Sequence, residues 1–398
     1  MAALVAPPAS RMAALDVSSE DESSPSARAW RWYASMGSPK RVLAPMVGQS
    51  ELAFRQLVRR YGCDLAVTPM VHARMFATCE RYRADVLRDL GDAEDRPLLV
   101  QFCGDDKDYL LEAAAACAPF CDGVDLNLGC PQGIARRGHY GAFLLEEPDL
   151  VCGIVEHLST RLPVPVTVKI RLLSPTDAAP TIALAKRLVA AGASLLTLHG
   201  RTKEMKGQAV GEARWGLIKE VFAALRGSVP LIANGGMEAP GDLERCAAFT
   251  GADGAMASEG ALEDPCIFGD ASRSPVDLAD EYLAICRSKA PQLAFAKGHL
   301  HKLLFEKLQV PGREALRERV SQGEAWADFQ AVVDELRRDD KGGARDRDRS
   351  WYRRHRAAKA RADEKARRDA EEAARQEALD DAADDGGGLG GLFGDEDE

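Results

Sequence analysis

The sequence predicts an α/β chain whose main domain closes into a (β/α)8 barrel of the TIM type, followed by a small α-helical domain and a disordered charged tail. Three observations predict it. From Arg41 to about Phe268 short apolar runs alternate with longer stretches of helical periodicity, the mark of strand–helix units around a parallel sheet. Eight such runs can be counted. Polar residues recur at their C-terminal ends, where barrels of this kind carry their chemistry.

Residues 1–38 are rich in Ala, Ser and Pro and include Glu20-Asp21-Glu22, so they are expected to form a disordered leader. An import signal is the rival reading; Arg11 and the Ala/Ser content suit it, and the acidic patch does not. The barrel is expected over residues 39–275, with strands at Arg41 to Ala44, Leu65 to Thr68, Leu98 to Phe102, Gly123 to Leu126, Val166 to Ile170, Leu195 to Leu198, Leu231 to Ala233 and Gly254 to Ala257. Between them, Ser50-Glu51 opens a helix carrying Leu52, Phe54, Leu57 and Val58 at helical spacing, and Asp105 to Ala118 forms another. An open doubly wound sheet would alternate in the same way, but it usually sets a glycine-rich phosphate loop after its first strand. Here that strand ends in Ala44-Pro45-Met46-Val47. The glycines come late, in Asn234-Gly235-Gly236 after the seventh strand and Ser258-Glu259-Gly260 after the eighth, the two loops where barrels commonly hold a phosphate.

Helical patterns then take over in residues 276–338, at Leu278 to Cys286, Leu293 to Leu308 and Glu314 to Leu336, broken by Pro291 and Pro311-Gly312. Residues 339–398 are expected to be a largely disordered tail, basic and then acidic. Arg349 to Arg368 carries nine basic residues against two acidic ones, whereas Asp380 to Glu398 has eight acidic residues and no basic one. A solvated, frayed helix and a nucleic-acid arm both fit this pattern.

At 398 residues and 46% hydrophobic content, the chain can bury one barrel-sized core and a smaller one. The net charge of −10 argues mildly against a polyanionic partner, although that average conceals the basic stretch. Ten cysteines are scattered through apolar segments without small-module spacing, so a reduced, intracellular, cytoplasmic or nuclear setting is expected. No run approaches the roughly 20 apolar residues of a spanning helix, so no membrane association is expected. Cys117 and Cys121 lack a second pair or a histidine at zinc-binding spacing, and no metal is expected.

Cys130, in Asn127-Leu128-Gly129-Cys130-Pro131, sits on a tight turn at a strand end, positioned as a proton donor or nucleophile; a buried hydrophobe is the alternative. Lys169 ends a strand pattern where a lone ammonium is costly, so it must meet an anion, either a reduced flavin ring or a neighbouring carboxylate. Gln101 can donate and accept at once and so read the edge of a flavin or pyrimidine, or else serve as a satisfied core amide. His199 can donate to a phosphate or ring carbonyl, or else be satisfied by nearby backbone as a lone histidine more often is. His72, His139 and Arg74 lie in loops on the same side and form a second tier of candidates.

Six ordered motifs resemble the tRNA-dihydrouridine synthases: Ala44-Pro45-Met46-Val47, Gln101-Phe102-Cys103-Gly104, Asp125 to Gln132, Lys169-Ile170-Arg171, His199-Gly200-Arg201-Thr202 and Asn234-Gly235-Gly236. Thr68 to Ala73 and Arg137 to Leu144 are similar to the eukaryotic branch that modifies D-loop positions 16 and 17. The resemblance implies an FMN-bearing barrel followed by a helical domain that grips tRNA, with NADPH or NADH as electron donor. It implies hydride delivery to C6 of a uridine while Cys130 protonates C5. It sets Pro45, Met46 and Val47 beside the flavin, with Gln101, Lys169 and His199 as polar contacts. Asn234, Gly235, Gly236, Ser258 and Glu259 would surround ribityl and phosphate, and Asn127, Arg171 and Arg201 would meet base or RNA. The chain departs from the pattern at Gly48, where relatives commonly carry an acidic residue, and at Gly236-Met237, where a polar pair is usual. A flavoenzyme of free pyrimidines and an RNA-binding protein without catalysis are the competing readings.

Overall fold

The computed structural model describes residues 24–340 and 350–353. All eight expected strands are present. In chain order the strands are β1 (Arg41–Leu43), β2 (Leu65–Val67), β3 (Val71–His72), β4 (Leu98–Cys103), β5 (Gly123–Leu128), β6 (Val166–Arg171), β7 (Leu196–His199), β8 (Leu231–Asn234) and β9 (Gly254–Ala257). β1 pairs with β9 through Arg41 and Ala255, and β2 pairs with β4 through Ala66 and Leu98, so the parallel sheet closes on itself and leaves no edge. β3 is the addition: it prolongs the wall beside the end of β4, and a two-residue pairing leaves no periodic signal to anticipate.

Alternation along each strand decides what faces the barrel interior. In β6, Val166, Val168 and Ile170 take one face, while Thr167, Lys169 and Arg171 take the other, where they bond to Asp125 on β5, Asn234 on β8 and the Gly129 carbonyl just after β5. β5 and β6 run on to Leu128 and Arg171, so Asn127 and Arg171 are strand residues. The helices behave as their patterns require. Leu52–Arg60 buries Leu52, Phe54, Leu57 and Val58, and Lys107–Cys117 is capped by Asp106, whose Oδ1 accepts from the N–H groups of Asp108 and Tyr109.

The expected disordered leader is corrected over its second half. Pro25–Ser35 is an α-helix, with Ser24 Oγ accepting from Ala27 N at 3.1 Å and Pro25 in the first turn. Tyr33, with Trp30, Trp32 and Met36, packs against Val42, Leu65, Val67, Leu99, Leu195, Ile232 and Met256, most of them at the N-terminal ends of the barrel strands. Trp32 Nε1 donates to Asp122 O at 2.8 Å, and Trp30 Nε1 to Gly227 O at 3.0 Å. Composition averaged over the segment hid three aromatic residues within four positions, which supply the apolar area that ordering needs. Residues 1–23 lie outside the described residues.

The second compact unit takes in Glu204–Glu212, Leu262–Pro265 and the chain from Ala271 onward. Its helices are Pro275–Lys289, Leu293–Leu303, Phe305–Leu308, Glu314–Gln322 and Trp326–Asp339, around a core of Tyr282, Leu300, Val320, Phe329 and Val333. Two expected helices are each divided. The first breaks at Leu304 and the second at Gly323, where a Cβ would lie 2.4 Å from the Phe329 ring. The tail is corrected in part. The last helix reaches Asp339, and Ser350 to Tyr352 bind the Glu263 carboxylate through Ser350 Oγ (2.6 Å) and the N–H groups of Trp351 and Tyr352 (both 3.1 Å). Residues 341–349 and 354–398, with most of the basic stretch and the acidic end, lie outside the described residues. All ten cysteines are free. Among the described residues no three His, Cys, Asp or Glu side chains cluster as a metal site, and no helix is long and apolar enough to cross a membrane.

Tyr33→Ala should destabilise the barrel by about 3–5 kcal/mol, the range for truncating a buried aromatic side chain. The urea-unfolding midpoint checks it; a midpoint equal to wild type would mean that the helix is not part of the folded core.

Candidate active site

Cys130 follows β5 on a turn built by its own strand. Asn127 Oδ1 accepts from Gly129 N at 3.1 Å and Cys130 N at 2.9 Å, so one strand side chain holds the turn that carries the thiol. The far side of the loop closes on the same residue, because Ala142 N donates to Cys130 O at 3.0 Å. Gly141 makes that approach possible. Its φ is +71°, and a Cβ there would sit 2.6 Å from Cys130 O. Below the loop Cys103, Ala135 and Tyr140 form a small core, with Met70, Phe143 and Cys130 packed against it. Cys130 itself is neither buried nor fully exposed.

His139 pins the loop from outside. Nδ1 lies 2.7 Å from Asp105 Oδ2 and Nε2 lies 2.6 Å from Glu147 Oε1, and these two hydrogen bonds hold the imidazole above its ordinary pKa. The ring therefore bridges the loop after β4 to the end of the loop after β5. His72 stacks edge-on against Tyr140 at 5.5 Å.

The upper interior of the barrel is polar and internally bonded. Gln101 is fully buried; its Nε2 donates to Asp125 Oδ2 at 2.7 Å, and its Oε1 accepts from Asn127 Nδ2 at 2.7 Å. Thr167 Oγ1 donates to the other oxygen of Asp125 at 2.6 Å. Lys169 does not meet a carboxylate in hydrogen-bond contact. Its Nζ donates to Asn234 Oδ1 at 3.0 Å, and Asn234 Nδ2 donates in turn to Met256 O. Burial, and after it the charge of Arg171, pull the Lys169 pKa down to about 8 against the opposing field of Asp125. His199 is held well below its usual value, first by burial and then by Arg171, Lys169 and Arg201, so it is a neutral ring at pH 7. Its Nε2 accepts from Arg201 Nη1 at 3.2 Å.

Two arginines brace the rim. Arg171 Nε donates to Gly129 O at 2.6 Å and Nη1 to Thr202 O at 2.9 Å, tying the loops after β5 and β7 together. After β8, Gly235 and Gly236 take φ of +104° and +86°; a Cβ on Gly235 would lie 2.8 Å from the His199 ring, and Gly235 O accepts from Trp215 Nε1. Gly48, like Gly236, adopts left-handed backbone, at φ +65°. Pro45, Met46 and Val47 form the turn after β1, closed by Ser50 Oγ on Met46 N, with Val47 70% exposed. Ser258 and Glu259 open the short helix after β9.

The fold thus brings every predicted site residue to one end of the barrel. It also gives several of them internal partners that sequence reasoning did not foresee. Asn127, expected at the base, turns its oxygen to the Cys130 turn, and Arg171 and Arg201, expected at base or RNA, bond within the rim. Gln101 matches the satisfied-amide alternative, with side chains rather than backbone as partners. Asp125, Thr167 and Gly141 were not singled out. Two-residue alternation of Asp125 with Asn127 and of Thr167 with Lys169 was the available signal, since each pair must share a strand face.

Residues 42–341 match the family model described as dihydrouridine synthase (Dus). A mouse protein named tRNA-dihydrouridine(16/17) synthase-like is 44% identical over 306 residues, covering 77% of this chain and 63% of its own. The Schizosaccharomyces pombe tRNA-dihydrouridine(16/17) synthase is 43% identical over 312 residues, covering 75% of this chain and 77% of its own. The Saccharomyces cerevisiae protein of the same name is 45% identical over 285 residues, 68% of this chain and 67% of its own. This chain therefore spans less than two thirds of the mouse relative's length.

Between pH about 8 and 10.5 the unfolded chain keeps the Lys169 proton while the folded chain has lost it. Wild-type stability should therefore rise relative to Lys169→Met across that window, by up to about 3 kcal/mol. Urea unfolding of both proteins near neutral pH and near pH 10 checks this; a constant difference would show that Lys169 is not desolvated.

Proposed function

The chain belongs to the dihydrouridine synthase family, and from that premise we propose that it reduces uridine to 5,6-dihydrouridine in the D-loop of tRNA, at positions 16 and 17. The observation that carries the reading is the thiol of Cys130 on a partly open turn held by Asn127, whose strand position pairs with that of the buried Lys169. Flavin mononucleotide, if held there with NADPH or NADH as its reductant, would supply the hydride that C6 of the uridine receives.

The residues present fit such a group. The two left-handed glycines after β8 let the backbone pass close to the His199 ring and to Ala213 and Trp215, where a Cβ would collide, and they keep the loop's N–H groups free of side-chain cover. Pro45, Met46 and the exposed Val47 offer an apolar wall after β1. Lys169, charged at neutral pH and bonded to a neutral amide, presents an ammonium to the anionic edge of a reduced ring. Neutral His199 contributes hydrogen bonding without adding a further charge beside Lys169 and Arg171.

Cys130 acts as the general acid. Its S–H proton passes to C5 as C6 gains the hydride, and the thiolate left behind is reprotonated from solvent through the open side of the loop. The Asn127 oxygen and the Ala142 N–H hold the turn during that transfer, so the sulfur need not search for its geometry. A uridine in folded RNA must be unstacked to reach the thiol, which requires a cationic surface to hold the backbone. The basic stretch from Arg349 to Arg368 is assigned that part, with the docking of Ser350 to Tyr352 on Glu263 fixing where it begins.

Cys130→Ala should retain the bound flavin spectrum while dihydrouridine formation in transcribed tRNA falls by about 10²–10⁴-fold, the usual contribution of a positioned acid. Full turnover in this variant would remove the acid assignment, and turnover of free uracil in place of tRNA would favour a small-molecule flavoenzyme. Deleting residues 354–368, which carry seven of the basic side chains, should weaken tRNA binding and flatten its dependence on salt. An unchanged slope would leave RNA binding to the folded units alone.

A further inference from the structure

A carboxylate can only accept, a backbone N–H can only donate, and a carboxamide must do one at each end. In the upper barrel these rules link into a single chain. Asp125 accepts at both oxygens, from Thr167 Oγ1 at 2.6 Å and from Gln101 Nε2 at 2.7 Å. With its amino end committed, Gln101 has only Oε1 to offer Asn127, and Asn127 Nδ2 donates to it at 2.7 Å. Asn127 Oδ1 is then the end that faces Gly129 N and Cys130 N, at 3.1 and 2.9 Å.

Both ends of the chain demand the same orientation of both amides. Reversing Gln101 would set an oxygen against Asp125 and an NH2 against Asn127; reversing Asn127 would point an NH2 at two backbone donors. Gln101 is 0% exposed and Asp125 3%, so water cannot serve as a substitute partner. We propose that Asp125 is a positioning residue for Cys130, setting the direction of the thiol-bearing turn through Gln101 and Asn127. It acts at two removes from the sulfur and touches neither substrate nor cofactor in this scheme. Burial pushes the Asp125 carboxyl upward, while its two hydrogen bonds and the charge of Lys169 counter that push and favour the acceptor-only form the chain requires. Lys169 thereby supports the turn electrostatically from the neighbouring strand.

The functional weight of this inference rests on the proton-donor reading of Cys130, but its test need not. Hydrogen exchange of the full-length flavoprotein reads the Gly129 and Cys130 amides directly, because these are the groups Asn127 Oδ1 holds. Asp125→Leu and Gln101→Glu, which places two acceptors face to face, should each speed exchange at these two amides by about tenfold, equivalent to about 1.4 kcal/mol, while the β7 and β8 amides keep their protection. The double variant Gln101→Glu with Asp125→Asn should restore protection: the new Asn donates to the new Glu, accepts from Thr167, and leaves Asn127 oriented as before. In turnover, Asp125→Leu should lower kcat for tRNA with KM unchanged. Unaltered exchange at Gly129 and Cys130 in Gln101→Glu, or a double variant no better protected than Gln101→Glu alone, would overturn the proposal. Acceleration spread evenly over all strands would overturn it too, since it would mark a general loss of stability. A wild-type protein that forms no dihydrouridine would instead count against the proposed function, with the exchange result still deciding the role of Asp125.

Discussion

The upper half of this barrel is filled with groups that water would ordinarily solvate, and its architecture depends on finding each of them a partner inside the wall. A carboxylate, two carboxamides, a hydroxyl and an ammonium occupy adjacent strand faces where a parallel barrel more often packs branched aliphatics. An unsatisfied polar group there costs a few kcal/mol, a large part of the net stability of a domain. The lower half is arranged differently. Val42, Leu65, Val67, Leu99, Ile232 and Met256 make an ordinary apolar layer, sealed from below by Tyr33 and its neighbours. Stability thus resides at the closed end, which leaves the open end free to be polar and constrained.

Charge is distributed at that end with the same economy. Burial lowers the His199 pKa, and the fields of Arg171, Lys169 and Arg201 add to that and keep the ring neutral. The arginines are occupied by backbone carbonyls and the histidine, whereas the ammonium leans on an uncharged amide. Three cationic side chains thus lie at this end of the barrel, and their summed field favours an anionic ligand at its mouth.

Much of this was legible before any coordinates. Eight strands could be counted because each is a short apolar run bounded by turn residues, and the polar markers stood out because they interrupt those runs at one end only. The turn after β8 was visible through Gly235 and Gly236, as left-handed backbone has few other solutions. What escaped were features set by meeting rather than by periodicity. Helix Pro25–Ser35 forms because its aromatic side chains find the barrel floor, a partner that composition cannot display. Gly323 divides a helix that its periodicity read as continuous, because the Phe329 ring needs the space. Asn127, Arg171 and Arg201 were expected at base or RNA, yet their partners in the fold depend on which strands and loops meet, and Asp125 lay unremarked inside a motif chosen for its cysteine.

The closure between Cys130 and Ala142, made possible by Gly141, turns the stretch between them into a small ring stitched at its neck. Ile134, 61% exposed, and the exposed Arg136 and Arg137 ride on that ring, with Ala135 and Tyr140 seated beneath it. Such a piece swings as a unit or stays still: its sulfur, its greasy tip and its two guanidinium groups keep their mutual spacing however the surrounding rim breathes. Whatever docks against the tip is thereby measured against the sulfur, as a template is against its gauge.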